Sequence, residues 1–297
     1  MLIKQFMAAL FLGLVCTAQT ATPQLKSVVS AGSFQPYKIA SGAYATVLGT
    51  SLSDKVYIGE MPWPLTLGGA VVMICYSPAV GQQNCAAAQL LYVSPQQINV
   101  LMPTLQQKIS PPSYGIGETV YVVTNVGGSE LKSNSLLFAL ELDSPDILFV
   151  GYECPIGTTP PKGVNCALSN TKTQPTNPIR GTITDAAGGL VDSANPAVIG
   201  GYYTIWLTGL GNTAYDPPLT FTLLPWKNVP LAIKPLFAGA SPQFPGLEQI
   251  NFQLPSAIAV SLDGSCQPEW ESDLYVSQGL GTPPGSSVQI PVVIRSC

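Results

Sequence analysis

Apolar and polar residues alternate along most of the chain with a period of two. Tyr203, Ile205 and Leu207 interleave with Tyr202, Thr204, Trp206 and Thr208, and Ile250, Phe252 and Leu254 interleave with Gln249, Asn251 and Gln253. That spacing sends alternate side chains to opposite faces of a strand. Segments 43–48, 69–75, 86–93, 118–124, 135–140, 219–224 and 287–294 read the same way. Apolar residues at helical spacing never run for three turns, and a short turn of helix after Pro255 is the most the pattern allows. Turn formers separate the runs: 28 Gly and 28 Pro in 297 residues. The expected fold is all-β, built of antiparallel sandwiches.

The pattern also repeats. Residues 90–103 (LLYVSPQQINVLMP) and 236–255 (LFAGASPQFPGLEQINFQLP) share a Ser-Pro, then Gln-Ile-Asn, then a Leu/Met-Pro. Gln97, Ile98, Asn99 and Pro103 map onto Gln249, Ile250, Asn251 and Pro255 at one constant offset. Upstream, 45–52 (ATVLGTSL) matches 203–211 (YTIWLTGLG), and downstream, 118–140 parallels 272–294. An ordered series of matches points to two tandem copies of one module, 19–142 and 143–297, with a boundary near Leu142–Pro145. Segment 151–180, rich in Pro, Thr and Asn, is expected as a long loop on the second copy.

Residues 1–18 read as a signal peptide: Lys4, then the apolar run Phe6–Val15, then Cys16-Thr17-Ala18 as the cleavage signal. The run is about half the length that spans a bilayer, and no later run approaches it, so no transmembrane helix is expected. Removing Cys16 leaves Cys75, Cys85, Cys154, Cys166, Cys266 and Cys297, an even set that suits disulfides in an exported chain. Six cysteines allow fifteen pairings. Their spacing favours Cys75–Cys85, Cys154–Cys166 and Cys266–Cys297. No C-x-x-C is present for zinc or redox chemistry.

Several blocks carry a family likeness: Leu48-Gly49-Thr50, Leu67-Gly68-Gly69, Tyr92-Val93-Ser94-Pro95 with Gln97-Ile98-Asn99, and Gly117-Glu118. Later in the chain come Thr208-Gly209-Leu210-Gly211, Phe237-Ala238-Gly239, Pro245-Gly246-Leu247 and Gln249-Ile250-Asn251. Over residues 27–297 the chain resembles a secreted domain of Acidobacteria, the Solibacter uncharacterized C-terminal domain. The resemblance implies a pair of immunoglobulin-like or IPT/TIG-like sandwiches, exported, and brings no activity, ligand or catalytic residue.

Composition narrows the function. The chain has no histidine, which excludes a Ser-His-Asp triad, a Cys-His pair and a His-ligated metal. Its formal charge of −4 argues against a nucleic-acid partner. Charged residues are 9% of the chain against roughly a quarter in an ordinary domain, which leaves a neutral exterior. Ser–Lys catalysis needs no histidine, but lysines are few and it is set aside. Asp143, Asp146, Asp185, Asp192, Asp216 and Asp263 lack calcium-loop spacing. Glu269, Glu271 and Asp273 form the densest acidic group and read as a solvated loop. The paired glycines read as turns, not phosphate loops. Gln97, Asn99, Gln249 and Asn251 face away from the core and read as amides bracing a neighbouring loop's backbone, with a ligand row as the alternative. Trp63, Trp226 and Trp270 lie in loops (MPWPL, LPWKN, PEWES) and are candidate ligand contacts, since exposed rings stack on sugars or proteins. The competing reading has Trp63 and Trp226 plugging the open ends of their sandwiches.

The expectation is an exported, non-enzymatic structural or interaction protein of the cell surface or extracellular matrix. It would have no catalytic residue, cofactor or metal, and an extracellular glycan or protein as partner. One alternative is a carbohydrate-binding module using the loop tryptophans. Another is a fibre or adhesion subunit that pairs a strand such as segment 19–33 with a neighbour.

Overall fold

The structure, a computed structural model, describes residues 21–36, 39–79, 82–104, 118–126, 128–141, 144–148, 152–155, 166–169, 181–192, 195–211, 219–224, 231–256, 269–278 and 286–293. Of 77–79, 82–83, 126, 152–155, 166–169, 219–224, 231, 269–278 and 286–293 only the backbone is described. Among these residues every regular element is a strand, as the period-two pattern requires. The first ten are β1 Gln24–Ser30, β2 Tyr44–Thr50, β3 Tyr57–Ile58, β4 Ala70–Ala79, β5 Gln82–Ala87, β6 Gln89–Val93, β7 Gln97–Leu101, β8 Glu118–Val126, β9 Ser129–Lys132 and β10 Leu136–Phe138. Next come β11 Asp146–Ile147, β12 Tyr152–Pro155, β13 Cys166–Ser169, β14 Ile183–Asp185, β15 Ala197–Val198 and β16 Tyr202–Thr208. The last are β17 Leu219–Leu224, β18 Leu231–Ala232, β19 Phe237–Ala240, β20 Glu248–Gln253, β21 Glu269–Gln278 and β22 Ser286–Val293. The turn after Pro255 lies outside the described residues.

One sheet runs β1-β2-β7-β6-β3, and a second runs β10-β8-β4-β5 with β9 on β8. Their inward residues form one apolar core: Ala45, Val47, Ile98, Val100 and Leu90 from the first sheet, and Val72, Ile74, Val120, Val122 and Phe138 from the second. On the other face of β2 and β7 stand Tyr44, Thr46, Asn99 and Leu101, of which Thr46 is itself buried, so the alternation in the sequence sets which face each residue takes and is cleanest on β7. Burying a Leu or Ile side chain in such a core stabilises the fold by about 1.5–3 kcal/mol.

A third sheet runs β11-β16-β20-β19, with β14 also on β16. Its core is Ile147, Ile183, Ile205, Leu207, Ile250 and Phe252 with Val191, Leu210 and Leu254 from the turns around it. A fourth, β15-β22-β21-β17-β18, joins it through β15, whose Ala197 is buried in the same core. Pairing is antiparallel except for β12–β13 and β15–β22.

Three sequence expectations are modified. Segment 86–93 is not one strand: it breaks at the buried Ala88, where the chain leaves β5 in one sheet for β6 in the other. Segment 151–180 is more than a loop, because β12 and β13 pair within it. It is spliced into one strand line: Asp146 and Ile147 pair Thr208 and Leu207, Thr182 and Leu148 share a 2.7 Å backbone bond, and Ile183 resumes opposite Ile205. Segment 24–30 lacks a clear alternating signal, yet it forms a strand and pairs at home with β2.

The two cores meet around Asp146. Its carboxylate, fully buried, accepts the Ser33 N–H (2.7 Å), the Ser33 hydroxyl (2.9 Å) and the Ser30 hydroxyl. Beside it the Tyr44 N–H donates to Thr208 Oγ1 (2.9 Å), and that hydroxyl donates to the Gly246 carbonyl (2.8 Å). Buried polar groups at such a junction need partners, and here each donor has one.

Candidate functional site

The recurring Gln-Ile-Asn blocks sit on β7 and β20, the central strands of the first and third sheets. Ile98 and Ile250 point into the cores, which turns the flanking amides outward. On β7 the Thr46 hydroxyl donates to Asn99 Oδ1 (3.2 Å), and Gln97 Nε2 donates to the same oxygen (2.7 Å). On β20 the Thr204 hydroxyl donates to Asn251 Oδ1 (3.0 Å). Thr46 faces Asn99 and Thr204 faces Asn251 in register, so both halves make one cross-strand pair with the same residues. The expected outward placement is found, but these partners are a threonine across the ladder and a neighbouring amide in place of a loop backbone.

The same strands end in corresponding turns. Thr50-Ser51-Leu52 and Thr208-Gly209-Leu210 follow β2 and β16, with φ of 57° at Ser51 and 83° at Gly209 and both leucines fully buried. A left-handed residue there lets the chain drop Leu into the core. In the first half the Leu52 N–H donates to the Pro95 carbonyl (3.0 Å). In the second the Leu210 N–H donates to Glu248 Oε2 at 2.5 Å. Gln96 occupies the position corresponding to Glu248, so the acid is particular to the second half. Burial pushes the Glu248 carboxyl up to about 7, against the opposing pull of the Leu210 and Gly209 N–H groups. Burial likewise raises Glu118, whose Oε2 accepts the Leu140 N–H at 3.1 Å.

The candidate tryptophans divide. Trp63 is half-buried and meets Tyr44 edge-on, ring centroids 5.8 Å apart. The other side of this aromatic corner is Gly246, where an added Cβ would lie 3.0 Å from the Tyr44 ring and 2.3 Å from Leu101. Burial pushes the Tyr44 hydroxyl up to about 12. Trp63 therefore packs into the corner where Tyr44 meets the second half. Trp226 lies outside the described residues; Trp270 is not in a loop as expected but in strand β21, opposite Val292, with its side chain outside the described residues. Trp206 points outward and donates Nε1–H to Thr184 Oγ1 (3.1 Å).

Cys75 and Cys85 face each other on β4 and β5 and are bonded, stapling that hairpin. Cys266 and Cys297, and the side chains of Cys154 and Cys166, lie outside the described residues. The acidic group Glu269, Glu271 and Asp273 is a correction: β21 begins at Glu269, so these residues are in a strand opposite Val293, Pro291 and Gln289, not in a loop. Alternation of Glu/Asp with Trp270, Ser272 and Leu274 is the strand signal that the charge density hid. Ser-x-x-Lys spacing does occur, at Ser129–Lys132 and Ser169–Lys172. Ser129 and Lys132 are three apart on β9 and so face opposite sides, and the Lys132 ammonium rests 3.9 Å from the Tyr121 ring centroid. Lys172 lies outside the described residues. Among the described residues, no three His, Cys, Asp or Glu side chains converge as metal ligands and no helix is long and apolar enough to cross a membrane.

Sequence reasoning missed Asp146, Glu248 and the outward rings of Tyr202 and Phe237, which are 55% and 45% exposed. Tyr202 is legible as an outward residue of an alternating strand; nothing local marks Asp146, whose carboxylate accepts from residues more than a hundred positions away. The molecule is thus an all-β protein whose repeated polar residues brace its sheets. Comparison with protein-family models finds no match, and comparison with curated proteins finds none either.

Proposed function

We propose that the chain is a tandem pair of immunoglobulin-like sandwiches, exported through its first 18 residues, that serves as a non-enzymatic structural or interaction protein of the cell surface or extracellular matrix. The observation that carries this reading is the correspondence of β2–β7 with β16–β20: the same Thr–Asn pair, the same left-handed turn and the same buried leucine. The residues that recur work inside the sheets, which supports a framework used twice, with function placed on surfaces that differ between the copies. The Cys75–Cys85 bridge supports an oxidising destination. The likeness to the Solibacter domain belongs to the same reading. The fibre alternative loses one support, since residues 24–30 pair with β2 of their own chain.

The test is to express the full chain in a bacterial host with a periplasm and read the mass of the recovered protein. The expected product is an exported chain beginning at Gln19 with Cys75 and Cys85 joined. A cytosolic chain that keeps residues 1–18, with both thiols free, would refute export.

A further inference from the structure

We propose that the outward face of strands β16, β20 and β19 binds an uncharged glycan, with Phe237 and Trp206 as ring platforms and Gln249 between them. The inference rests on the reading of the chain as an exported interaction protein and names the partner of one surface.

Register assembles the platform. Trp206 stands opposite Gln249, and Gln249 stands opposite Gly239. Phe237 lies two residues before Gly239 on the edge strand, and a Cβ added at Gly239 would meet the Phe237 ring at 3.3 Å. The ring is therefore laid along β19 over Gly239, and it remains 45% exposed. Two interstrand spacings place the Trp206 and Gly239 positions about 10 Å apart, with an amide between them. Tyr202, 55% exposed, and Gln253 continue the face toward its far end. The Trp206–Thr184 and Thr204–Asn251 bonds hold the indole and the neighbouring Asn251 amide in place, so this part of the surface is preorganised for a ligand.

The fold does not force these rings into water. Tyr44 occupies in the first half the place of Tyr202, and there the ring is packed against Trp63 and Gly246. Leu48 stands in the place of Trp206 and Leu101 in the place of Gln253. The second half thus replaces two leucines with an indole and an amide on the face that stays open. The face residues of β16, β20 and β19 carry no charge: Tyr202, Thr204, Trp206, Gln249, Asn251 and Phe237. An uncharged ligand is the complement, and amides, which both donate and accept, suit hydroxyl groups while ring faces suit the C–H faces of a pyranose.

The experiment uses the mature, oxidised chain in affinity gel electrophoresis against glucomannan, hydroxyethyl cellulose, dextran, amylose and galactan, with an anionic polygalacturonate for comparison. Retardation by at least one neutral polymer is expected. Phe237→Ala should weaken it tenfold or more, Gln249→Ala several-fold, and Phe237→Trp should retain it. Ile58→Ser, at a 74% exposed site on β3, should leave it unchanged. Unfolding midpoints of the variants separate loss of a contact from loss of the fold, and Phe237 is exposed enough that its removal leaves the core intact. No retardation by any neutral polymer overturns the proposal, as does retardation that survives Phe237→Ala, binding to polygalacturonate alone, or a protein partner that occupies this face. Export is read separately from the processed N-terminus, so failure of either reading is visible without the other.

Discussion

Glu248 offers the sharpest test of how this fold is held, because it sets a buried carboxylate against the two N–H groups of a turn. Its carboxyl is pushed from 4.5 to about 7 mainly by burial. The native state therefore holds a proton that the unfolded chain releases between those values. The contribution to stability is fully present below pH 4.5 and is lost as pH rises toward 7, after which it stays constant. Each pH unit between the two values is worth about 1.36 kcal/mol, which makes the loss on the order of 3 kcal/mol. Glu248→Gln keeps a carbonyl oxygen for the Leu210 N–H and removes the charge. Urea unfolding of both proteins, followed by tryptophan fluorescence at intervals from pH 4.5 to 8, isolates this residue from Glu118, which is raised in the same direction. The variant should match the wild type near pH 4.5 and exceed it by on the order of 3 kcal/mol at pH 8. A difference that does not change with pH would show that the N–H groups balance burial, and a wild type more stable at pH 8 that they outweigh it; either refutes the reasoning.

Two further outcomes follow from buried polar and covalent ties. Asp146→Ala strands the Ser30 hydroxyl and the Ser33 N–H and hydroxyl, and should lower stability by about 3 kcal/mol in equilibrium unfolding; a loss below about 1 kcal/mol would mean that water replaces the carboxylate. Cys75→Ala with Cys85→Ala opens a bridge between residues ten apart and should cost about 2–3 kcal/mol. Reductant should lower the wild-type midpoint more than the variant's by that same amount, and an equal shift in the two proteins would contradict the bridge.

Where strands have one wet and one dry face, the sequence is readable. Ile205, Leu207, Ile250 and Phe252 fall inward as their spacing requires, because a side-chain period of two leaves no other register once one face is buried. β1 is hard to read because its ladder shifts register between Leu25 and Ser27, which breaks the alternation into two short pieces. Loop position makes the tryptophans natural candidates for ligand contacts. Trp63 is instead spent on Tyr44, and the exposed rings lie on a sheet face whose openness depends on what packs nearby.

The amino-acid sequence by itself determined the all-β class, the strand faces, the repeat of Gln-Ile-Asn and the absence of imidazole chemistry. These are local properties, carried by spacing and residue type. Tertiary structure alone decided that β5 and β6 part at Ala88 into different sheets, that Ser30 and Ser33 enclose Asp146, and that Tyr44 is covered while Tyr202 is open. Those outcomes depend on contacts between residues far apart in the chain. No local pattern of polar and apolar positions encodes which distant group will arrive.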